Sequence, residues 1–202
     1  MSKQRLGIYG GTFSPPHLGH VRAAESFLLC AELDKLLIMP DFLPPHKTEF
    51  GNVTAEDRLN MCRLAFSSLP RTEISDFEIA RGGKSYTYLT LEAFAGLDVE
   101  LYFLCGTDML LTLDRWRSPD VIFDIATICF VRREDDRAND DLIKEKIASY
   151  RERFSARIIE LNHVVLEVSS SELRTEIWNT EEVPAALDAN VLEYIHRRGL
   201  YR

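Results

Sequence analysis

Three glycines and two histidines lie close together near the start of the chain, in residues 10–20, which read GGTFSPPHLGH. The segment follows a short apolar run and precedes a helical pattern, and such strand-to-helix junctions are where open α/β sheets bind phosphate. Gly10 and Gly11 let the backbone bend tightly and approach a ligand closely. His17 and His20 are three residues apart, so on a helix their rings share a face and could be directed at one anionic centre.

A second group of polar residues lies near the other end of the chain, in residues 168–174, which read VSSSELR. Ser169, Ser170 and Ser171 stand where a helix is expected to begin, and the N–H groups and dipole of a helix start favour anions. Arg174 follows on that helix, and its guanidinium fork matches phosphate oxygens. Taken alone, this segment is also typical of a serine N-cap followed by a surface arginine.

The elements that must position these groups alternate along the chain between strand and helix patterns. Short apolar runs predict strands at 6–9, 35–39, 73–79, 100–104, 126–131, 157–161 and 164–168. Helical patterns occupy 18–32, 54–68, 87–95, 140–153 and 189–198, with short helices around Trp116 and from Ser170. This alternation predicts one α/β domain over residues 1–202, with a Rossmann-like open, mostly parallel sheet and helices on both faces. Its ligands should bind at the carboxyl ends of the strands.

Residues 17–20 and 168–174 together resemble the two signature motifs of the nucleotidyltransferase superfamily, (H/T)xGH and ISSTxxR. Within the superfamily, the chain is most similar to the bacterial nicotinate-nucleotide adenylyltransferase family. The further segments that carry this likeness are 44–47 (PPHK), 85–87 (SYT), 106–108 (GTD), Trp116 and the tail 194–201. The resemblance covers nearly the whole chain. It implies adenylyl transfer from ATP to nicotinate mononucleotide by direct in-line attack, giving deamido-NAD and pyrophosphate.

The resemblance implies a role for each polar group on the ATP side. His17 and His20 would donate N–H bonds to the α- and β-phosphates, and Arg174 would bind the β- and γ-phosphates. Protein groups in such a transfer need only position two polyanions and neutralise growing charge. Lys47 would reach a phosphate across the cleft, although its spacing alone is as typical of a solvated loop lysine. The other ATP-binding residues are expected to be Gly10, Gly11, Thr12, Phe13, Gly106, Asp108, Ser169, Ser170 and Ser171.

The resemblance also implies an acceptor pocket made from two segments. Backbone amides of Ser85, Tyr86 and Thr87 would hold the nicotinate carboxylate, and Trp116 would stack on the pyridine ring. Such a pocket would favour the acid over the amide form of the substrate. Two alternatives stay open: Trp116 as an ordinary core residue, and Asp108 as a turn former rather than a ribose ligand.

Three positions depart from the pattern of the family. Ser14 stands where Asp or Asn is usual, Leu89 where Asp is frequent, and Ser171 where Thr is usual. The first two departures lose polar side chains near the substrates, so they bear on substrate detail more than on reaction type. A catalytically inactive relative would be expected to lose a motif histidine or the motif arginine, and this chain retains all of them.

The composition of the chain limits the kinds of partner that it is expected to bind. The 202 residues carry a formal net charge of −8, whereas a protein that coats a nucleic-acid polymer is more often basic, so we expect a small-molecule partner. No apolar run approaches the roughly 20 residues that span a bilayer, and the N-terminus lacks a signal-peptide core, so we expect a cytoplasmic protein without membrane contact.

No CxxC spacing occurs, and reduced core thiols are expected at Cys30, Cys62, Cys105 and Cys129. No cluster offers a metal cage, so Mg²⁺ should arrive on ATP.

Two rival functions stay open on the sequence. Another adenylyltransferase of the superfamily, acting on phosphopantetheine or nicotinamide mononucleotide, would share the phosphate motifs. The phosphopantetheine family is shorter and would not be expected to carry the SYT segment with a downstream Trp. A nucleotide-binding regulator without turnover is the rival of a different class. The sequence lacks the motifs of other nucleotide and metal sites: GxxxxGK[ST], HExxH and GxGxxG.

Overall fold

The sheet forms from the runs that the sequence marks as apolar. The computed structural model describes residues 3–44, 52–132, 140–161, 168–179 and 184–202. Its strands are β1 Gln4–Gly11, β2 Lys35–Pro40, β3 Thr72–Ile74, β4 Val99–Gly106, β5 Ala126–Val131 and β6 Ile158–Glu160. Neighbouring strands are parallel throughout, in the order β3-β2-β1-β4-β5-β6. This arrangement confirms the predicted Rossmann-like α/β sheet.

Helices cover both faces of the sheet, as predicted. They are α1 Leu18–Cys30, α2 Ala55–Ala65, α3 Phe77–Arg81, α4 Thr87–Ala95, α5 Thr107–Leu110, α6 Pro119–Ile125, α7 Asp140–Phe154, α8 Ser170–Glu176 and α9 Ala189–Arg198, with a 3-10 helix at Leu113–Arg115. Strand side chains alternate between the faces, so Leu36 and Ile38 join one buried cluster and Leu37 and Met39 the other. Residues of α1, α2, α8 and α9 complete the first cluster, and residues of α4 to α7 complete the second.

The side chains of Phe27, on α1, and of Leu33 pack directly against the backbone of β1 at Gly7. A Cβ atom added there would come within 2.9 Å of the Phe27 ring, which is fully buried beneath the helix. Glycine is therefore required at this position by close packing rather than by a turn. The close approach matters for the site because it sets where α1 lies, and the histidine pair stands at the start of α1.

One predicted strand is wrong over most of its length. Residues 73–79 do not form a single strand, because β3 ends at Ile74 and α3 begins at Phe77. The reason is local: the Ser75 hydroxyl accepts a hydrogen bond from the N–H of Phe77 at 3.3 Å, which turns the chain into the helix. Gly82, with a φ of 68°, then ends the helix.

Other boundaries differ by a few residues. Helix α1 ends at Cys30 and α2 at Ala65, short of the predicted ends at residues 32 and 68. Helix α2 is capped by Thr54, whose hydroxyl accepts from the N–H of Asp57 at 3.0 Å. Most of the strand predicted at 164–168 lies outside the described residues, as do residues 133–139 of the acidic run before α7.

The cysteine prediction holds at three positions and is wrong at the fourth. The four cysteines form no disulfide, and Cys62, Cys105 and Cys129 are buried, but Cys30 is exposed because the last turn of α1 turns it to solvent. Burial raises the pKa of the Cys129 thiol to about 12, so this group stays protonated. Within the described ranges, no helix is both long and apolar enough to span a bilayer.

Candidate active site

The sheet order places a crevice at the carboxyl ends of β1 and β4. The chain runs outward from β1 to one edge and then from β4 to the other, and ligands of open α/β sheets bind at this kind of switch point. Gly10 and Gly11 end β1, and Gly106 ends β4. Two cavities of about 640 Å³ and about 300 Å³ open there, and both are lined by Gly10, Gly11 and Met109.

The smaller cavity gathers most of the residues assigned to ATP. It is lined by Gly10, Gly11, Phe13, His17, His20, Gly106, Asp108, Ser169 and Ser170, among others. These residues come from the β1–α1 loop, the end of β4 and the start of α8, which are far apart in the chain. Parallel strands bring the β1–α1 loop and the end of β4 to one edge of the sheet, and the start of α8 meets them there. Asp108 is exposed in the first turn of the short helix α5.

The two histidine rings face each other at the start of α1. Their centroids are 3.7 Å apart, with an angle of 30° between the ring planes. The backbone N–H of His17 donates to Nδ1 of His20 at 3.2 Å, so Nδ1 of a neutral His20 ring is the unprotonated nitrogen. Its proton is then on Nε2, which makes the His20 ring an N–H donor. The His20 ring also packs against Phe13 in an edge-to-face contact, with the ring centroids 5.1 Å apart.

Helix α8 brings the second motif against the first. The Ser170 hydroxyl donates to the carbonyl oxygen of Pro15 at 3.0 Å, and the Ser169 hydroxyl caps the helix by accepting from the N–H of Ser171 at 3.1 Å. Arg174 donates to the carbonyl oxygen of Ser14 at 2.8 Å and to the Ser171 hydroxyl at 3.0 Å. Arg174 and Ser171 are not among the described residues that line either cavity.

The larger cavity brings together the two segments expected to hold the acceptor. Ser85, Tyr86, Thr87 and Trp116 all line it, and Thr12 lies on the same lining. Helix α4 begins at Thr87, so the cavity faces the start of a nine-residue helix. The expectation that three backbone amides hold a carboxylate here is wrong for two of them, because the N–H of Ser85 donates to the carbonyl oxygen of Leu43 at 2.9 Å and that of Tyr86 to the carbonyl oxygen of Lys84 at 3.1 Å. Ser85 is tied to the loop after β2, because its hydroxyl accepts from the N–H of Phe42 at 3.0 Å.

The position of Trp116 fits both interpretations that the sequence leaves open, an ordinary core residue and a residue that stacks on the ligand. Its ring packs edge-to-face on Phe103, with centroids 6.4 Å apart, and it lies against the second hydrophobic cluster. It is only half-buried, however, and its remaining surface lines the larger cavity. The ring is thus anchored on one side and open to a ligand on the other, which suits a stacking platform.

Sequence reasoning missed a buried ion pair beside the larger cavity. Arg58 of α2 donates from Nη1 to Asp41 Oδ1 and to the carbonyl oxygen of Thr12, both at 2.9 Å. The Thr12 hydroxyl donates to the other carboxylate oxygen of Asp41 at 3.0 Å. Burial raises the pKa of the Asp41 carboxyl, although Arg58 and Thr12 oppose the rise. The sequence contains a signal for Asp41, because this residue directly follows a parallel strand. The same rule, that ligands bind at the carboxyl ends of strands, marked Gly10 and Gly106 as site residues.

Charged groups of the larger cavity were missed as well. Lys84, Arg115 and Arg117 line it, and the Arg117 guanidinium lies 5.0 Å from the centroid of the Tyr86 ring. A buried carboxylate, Glu78, accepts a 2.5 Å hydrogen bond from the hydroxyl of Thr90 on the same lining. The cations suit an acceptor that carries more than one negative charge.

Two further expectations concern Lys47 and metal ions. Lys47 lies outside the described residues, so its role stays a prediction. In the part of the chain that the structure describes, no three His, Cys, Asp or Glu side chains are grouped so that they could hold a metal ion. Asp108 contributes a carboxylate to the lining of the smaller cavity.

Comparison with known proteins identifies the family. A cytidylyltransferase-like family model matches residues 8–176. A nicotinate-nucleotide adenylyltransferase of Clostridium botulinum (strain Alaska E43 / Type E3) is 35% identical over 199 residues, which cover 98% of each chain. The chain belongs to the nicotinate-nucleotide adenylyltransferase family. A further member, from Desulfatibacillum aliphaticivorans, is also 35% identical and is covered over 99% of its length.

The fold of this family member is shared with a solved structure. The Plasmodium falciparum nicotinic acid mononucleotide adenylyltransferase complexed with NaAD superposes with a TM-score of 0.75 over 98% of this chain and 97% of its own, at 18% identity. The family assignment confirms the resemblance found in the sequence. It also confirms the expectation of a nucleotidyltransferase that carries out adenylyl transfer in NAD biosynthesis.

Proposed function

We propose that the chain transfers the adenylyl group of ATP to nicotinate mononucleotide, forming deamido-NAD and pyrophosphate. An oxygen of the acceptor phosphate attacks the α-phosphorus, and the bond from that phosphorus to the bridging oxygen of the β-phosphate breaks. Pyrophosphate leaves with its electron pair, so no protein nucleophile is needed. The observation that carries this proposal is the meeting of two cavities at Gly10 and Gly11, because the two phosphates must be brought together at one point.

The smaller cavity is proposed to hold the triphosphate. His20 would donate from Nε2–H, and the stacked ring of His17 would add a second donor to the α- and β-phosphates, where charge develops in the transition state. Ser169 and Ser170 line the same cavity. Arg174 has five N–H donors, and its bonds to Ser14 and Ser171 use two of them, so it has capacity for the β- and γ-phosphates.

Magnesium is proposed to enter as part of the substrate. Mg²⁺ dehydrates reluctantly and is usually held by substrate phosphates and one or two carboxylates. Asp108 is positioned to contribute such a carboxylate, or to bind ribose hydroxyls, because it lines the smaller cavity at the end of β4. The metal would neutralise charge on the phosphates of ATP.

The larger cavity is proposed to hold the acceptor. The N–H group of Thr87, at the start of α4, would bind the nicotinate carboxylate, and Trp116 would stack on the pyridine ring. Arg117, which lies over the Tyr86 ring, adds positive charge on the same side. A carboxylate is favoured by this environment and a neutral carboxamide is not, so the acid form is the expected substrate. We further propose a cytoplasmic location, where cysteines are typically kept as thiols rather than disulfides.

The test is pyrophosphate release from ATP and Mg²⁺ with three acceptors in parallel: nicotinate mononucleotide, nicotinamide mononucleotide and phosphopantetheine. Fast release with the nicotinate acceptor alone supports both the reaction and the carboxylate-binding pocket. Release only with another acceptor rejects the pocket assignment while keeping the phosphate roles. Binding of ATP without release for any acceptor rejects the proposal in favour of a nucleotide-binding regulator.

A further inference from the structure

The β1–α1 loop is held in a sparsely populated backbone conformation just before the histidine pair. Phe13 has a φ of 49°, in the left-handed region that bulky side chains rarely adopt. Such a conformation persists only where the surrounding structure over-determines it. Ser14 follows directly, and His17 lies three residues further on at the start of α1. The position of the histidines therefore depends on what holds Ser14.

The last residues of the chain reach this loop from the other side. The Tyr201 hydroxyl lies 3.0 Å from the Ser14 hydroxyl, in a hydrogen bond between two side chains 187 positions apart. Ser14 is also bound through its carbonyl oxygen by Arg174 at 2.8 Å. Ser14 is thus held through its side chain by Tyr201 and through its backbone by Arg174. Burial raises the pKa of the Tyr201 phenol, so the hydroxyl keeps its proton at neutral pH.

Tyr201 is itself held firmly in place. Gly199, with a φ of 62°, ends α9 and turns the chain back. The side-chain amide of Asn52 accepts from the N–H of Tyr201 at 2.9 Å and donates to the carbonyl oxygen of Gly199 at 2.7 Å. The indole N–H of Trp178 donates to the carbonyl oxygen of Leu200 at 3.0 Å. These hydrogen bonds fix the backbone of residues 199–201, so the Tyr201 hydroxyl is held in one position against the loop.

We propose that Tyr201 is a positioning residue for adenylyl transfer, which fixes Ser14 and, through Ser14, the placement of His17 and His20. This inference rests on the proposed function, since it assigns those histidines to the phosphates of ATP. Tyr201 lines neither cavity among the described residues, so its effect on turnover is exerted through the loop. The hydroxyl of Tyr201 is the group responsible for this positioning. A phenylalanine ring at position 201 would pack as well as the tyrosine ring but could not bind Ser14.

The experiment compares Tyr201→Phe with the matched control Tyr194→Phe. Tyr194 also belongs to the C-terminal segment, but its hydroxyl donates to Asp57 at 2.9 Å, away from the loop. We expect Tyr201→Phe to lower kcat for pyrophosphate release about tenfold with little change in either KM, because a misplaced donor weakens the transition state. The control should keep the kcat of the unaltered chain, even if its Tm falls. Unchanged kcat in Tyr201→Phe overturns the inference.

A double-mutant cycle tests whether the effect passes through Ser14. Ser14→Ala removes the hydroxyl but keeps the carbonyl that Arg174 binds. We expect Ser14→Ala to lower kcat as Tyr201→Phe does, and the double variant to be no worse than either single variant. Additive losses overturn the coupling. If Tyr201→Phe yields little folded protein, Ser14→Ala alone carries the test, and full kcat in that variant overturns the inference.

A readout without turnover separates this inference from the proposed function. NMR spectra of the imidazole protons should show shifted His17 and His20 signals in Tyr201→Phe and unshifted ones in Tyr194→Phe. A chain that releases no pyrophosphate with any acceptor defeats the proposed function, while shifted signals still support the positioning of the loop. Unshifted signals in Tyr201→Phe overturn the positioning role itself.

Discussion

Arg58 and Asp41 form a buried ion pair that joins the loops after β1 and β2, with Nη1 and Oδ1 2.9 Å apart. The Arg58 side chain is 1% exposed, and its guanidinium also binds the carbonyl oxygens of Thr12, Asp41 and Phe42. The planar fork of an arginine is suited to several acceptors at fixed angles. The pair therefore holds the two loops that line the larger cavity in one arrangement.

We expect Arg58→Ala to destabilise the chain by about 3 to 5 kcal/mol, because it leaves the Asp41 carboxylate buried without its partner. Arg58→Lys should recover part of this loss, since it restores the charge but not the fork. Arg63→Ala is the control: Arg63 lies on the same helix, and its exposed pair with Glu56 should be worth less than about 1 kcal/mol. Urea unfolding measures all three, and equal losses in Arg58→Ala and Arg63→Ala would contradict the expectation.

Replacing His20 should reduce turnover without unfolding the chain. The carbonyl of an asparagine can accept the bond that Nδ1 of His20 accepts from the N–H of His17, but its side chain is too short to replace the Nε2 donor. We expect His20→Asn and His20→Ala to lower kcat by about 100- to 1000-fold, as removal of a transition-state donor does. Pyrophosphate release gives kcat, and circular dichroism checks the fold. Near-normal turnover in His20→Asn would show that the Nε2 donor is not used.

Trp116 should affect the acceptor and not ATP. We expect Trp116→Ala to raise KM for nicotinate mononucleotide by about 5- to 150-fold, the range of a lost stacking contact of about 1 to 3 kcal/mol. Trp116→Phe should retain part of the stacking. KM for ATP should change little, because Trp116 lines the larger cavity and not the smaller one. A drop in Tm with both KM values unchanged would assign Trp116 to the core alone.

Asp114 gives a pH-dependent support to the segment that carries Trp116. Burial would raise the pKa of this carboxyl, but hydrogen bonds from Lys146 and Tyr150 outweigh it and hold the pKa below the ordinary value of 3.8. Both bonds measure 3.1 Å. A lowered folded pKa contributes stability that is complete above the unfolded pKa and is lost as the pH falls through the folded pKa.

We therefore expect Asp114→Asn to be less stable than the unaltered chain by about 1 to 3 kcal/mol at about pH 7, and the gap to close as the pH falls to about 2. Urea unfolding across this pH range measures it. Asp98→Asn is the control, because Asp98 is 90% exposed and should show almost no difference at either end. A gap that stays constant with pH would mean that the charge of Asp114 contributes nothing.

Much of the architecture follows from the sequence because it depends on local patterns. Apolar runs and helical spacing predict the parallel sheet, and the helices at Thr87–Ala95 and Ala189–Arg198 end where expected. The convergence of the histidine pair and Gly106 also follows, since each lies at or just after the end of a strand and parallel strands end at one edge. These features need only neighbours in the chain and one general rule of topology.

Tertiary structure alone decides the contacts between segments far apart in the chain. No local pattern shows that Arg58 reaches Asp41, that Tyr201 reaches Ser14, or that Arg174 binds a loop carbonyl before any ligand. Such contacts depend on how whole elements pack, and packing is set by the sum of many interactions along the chain.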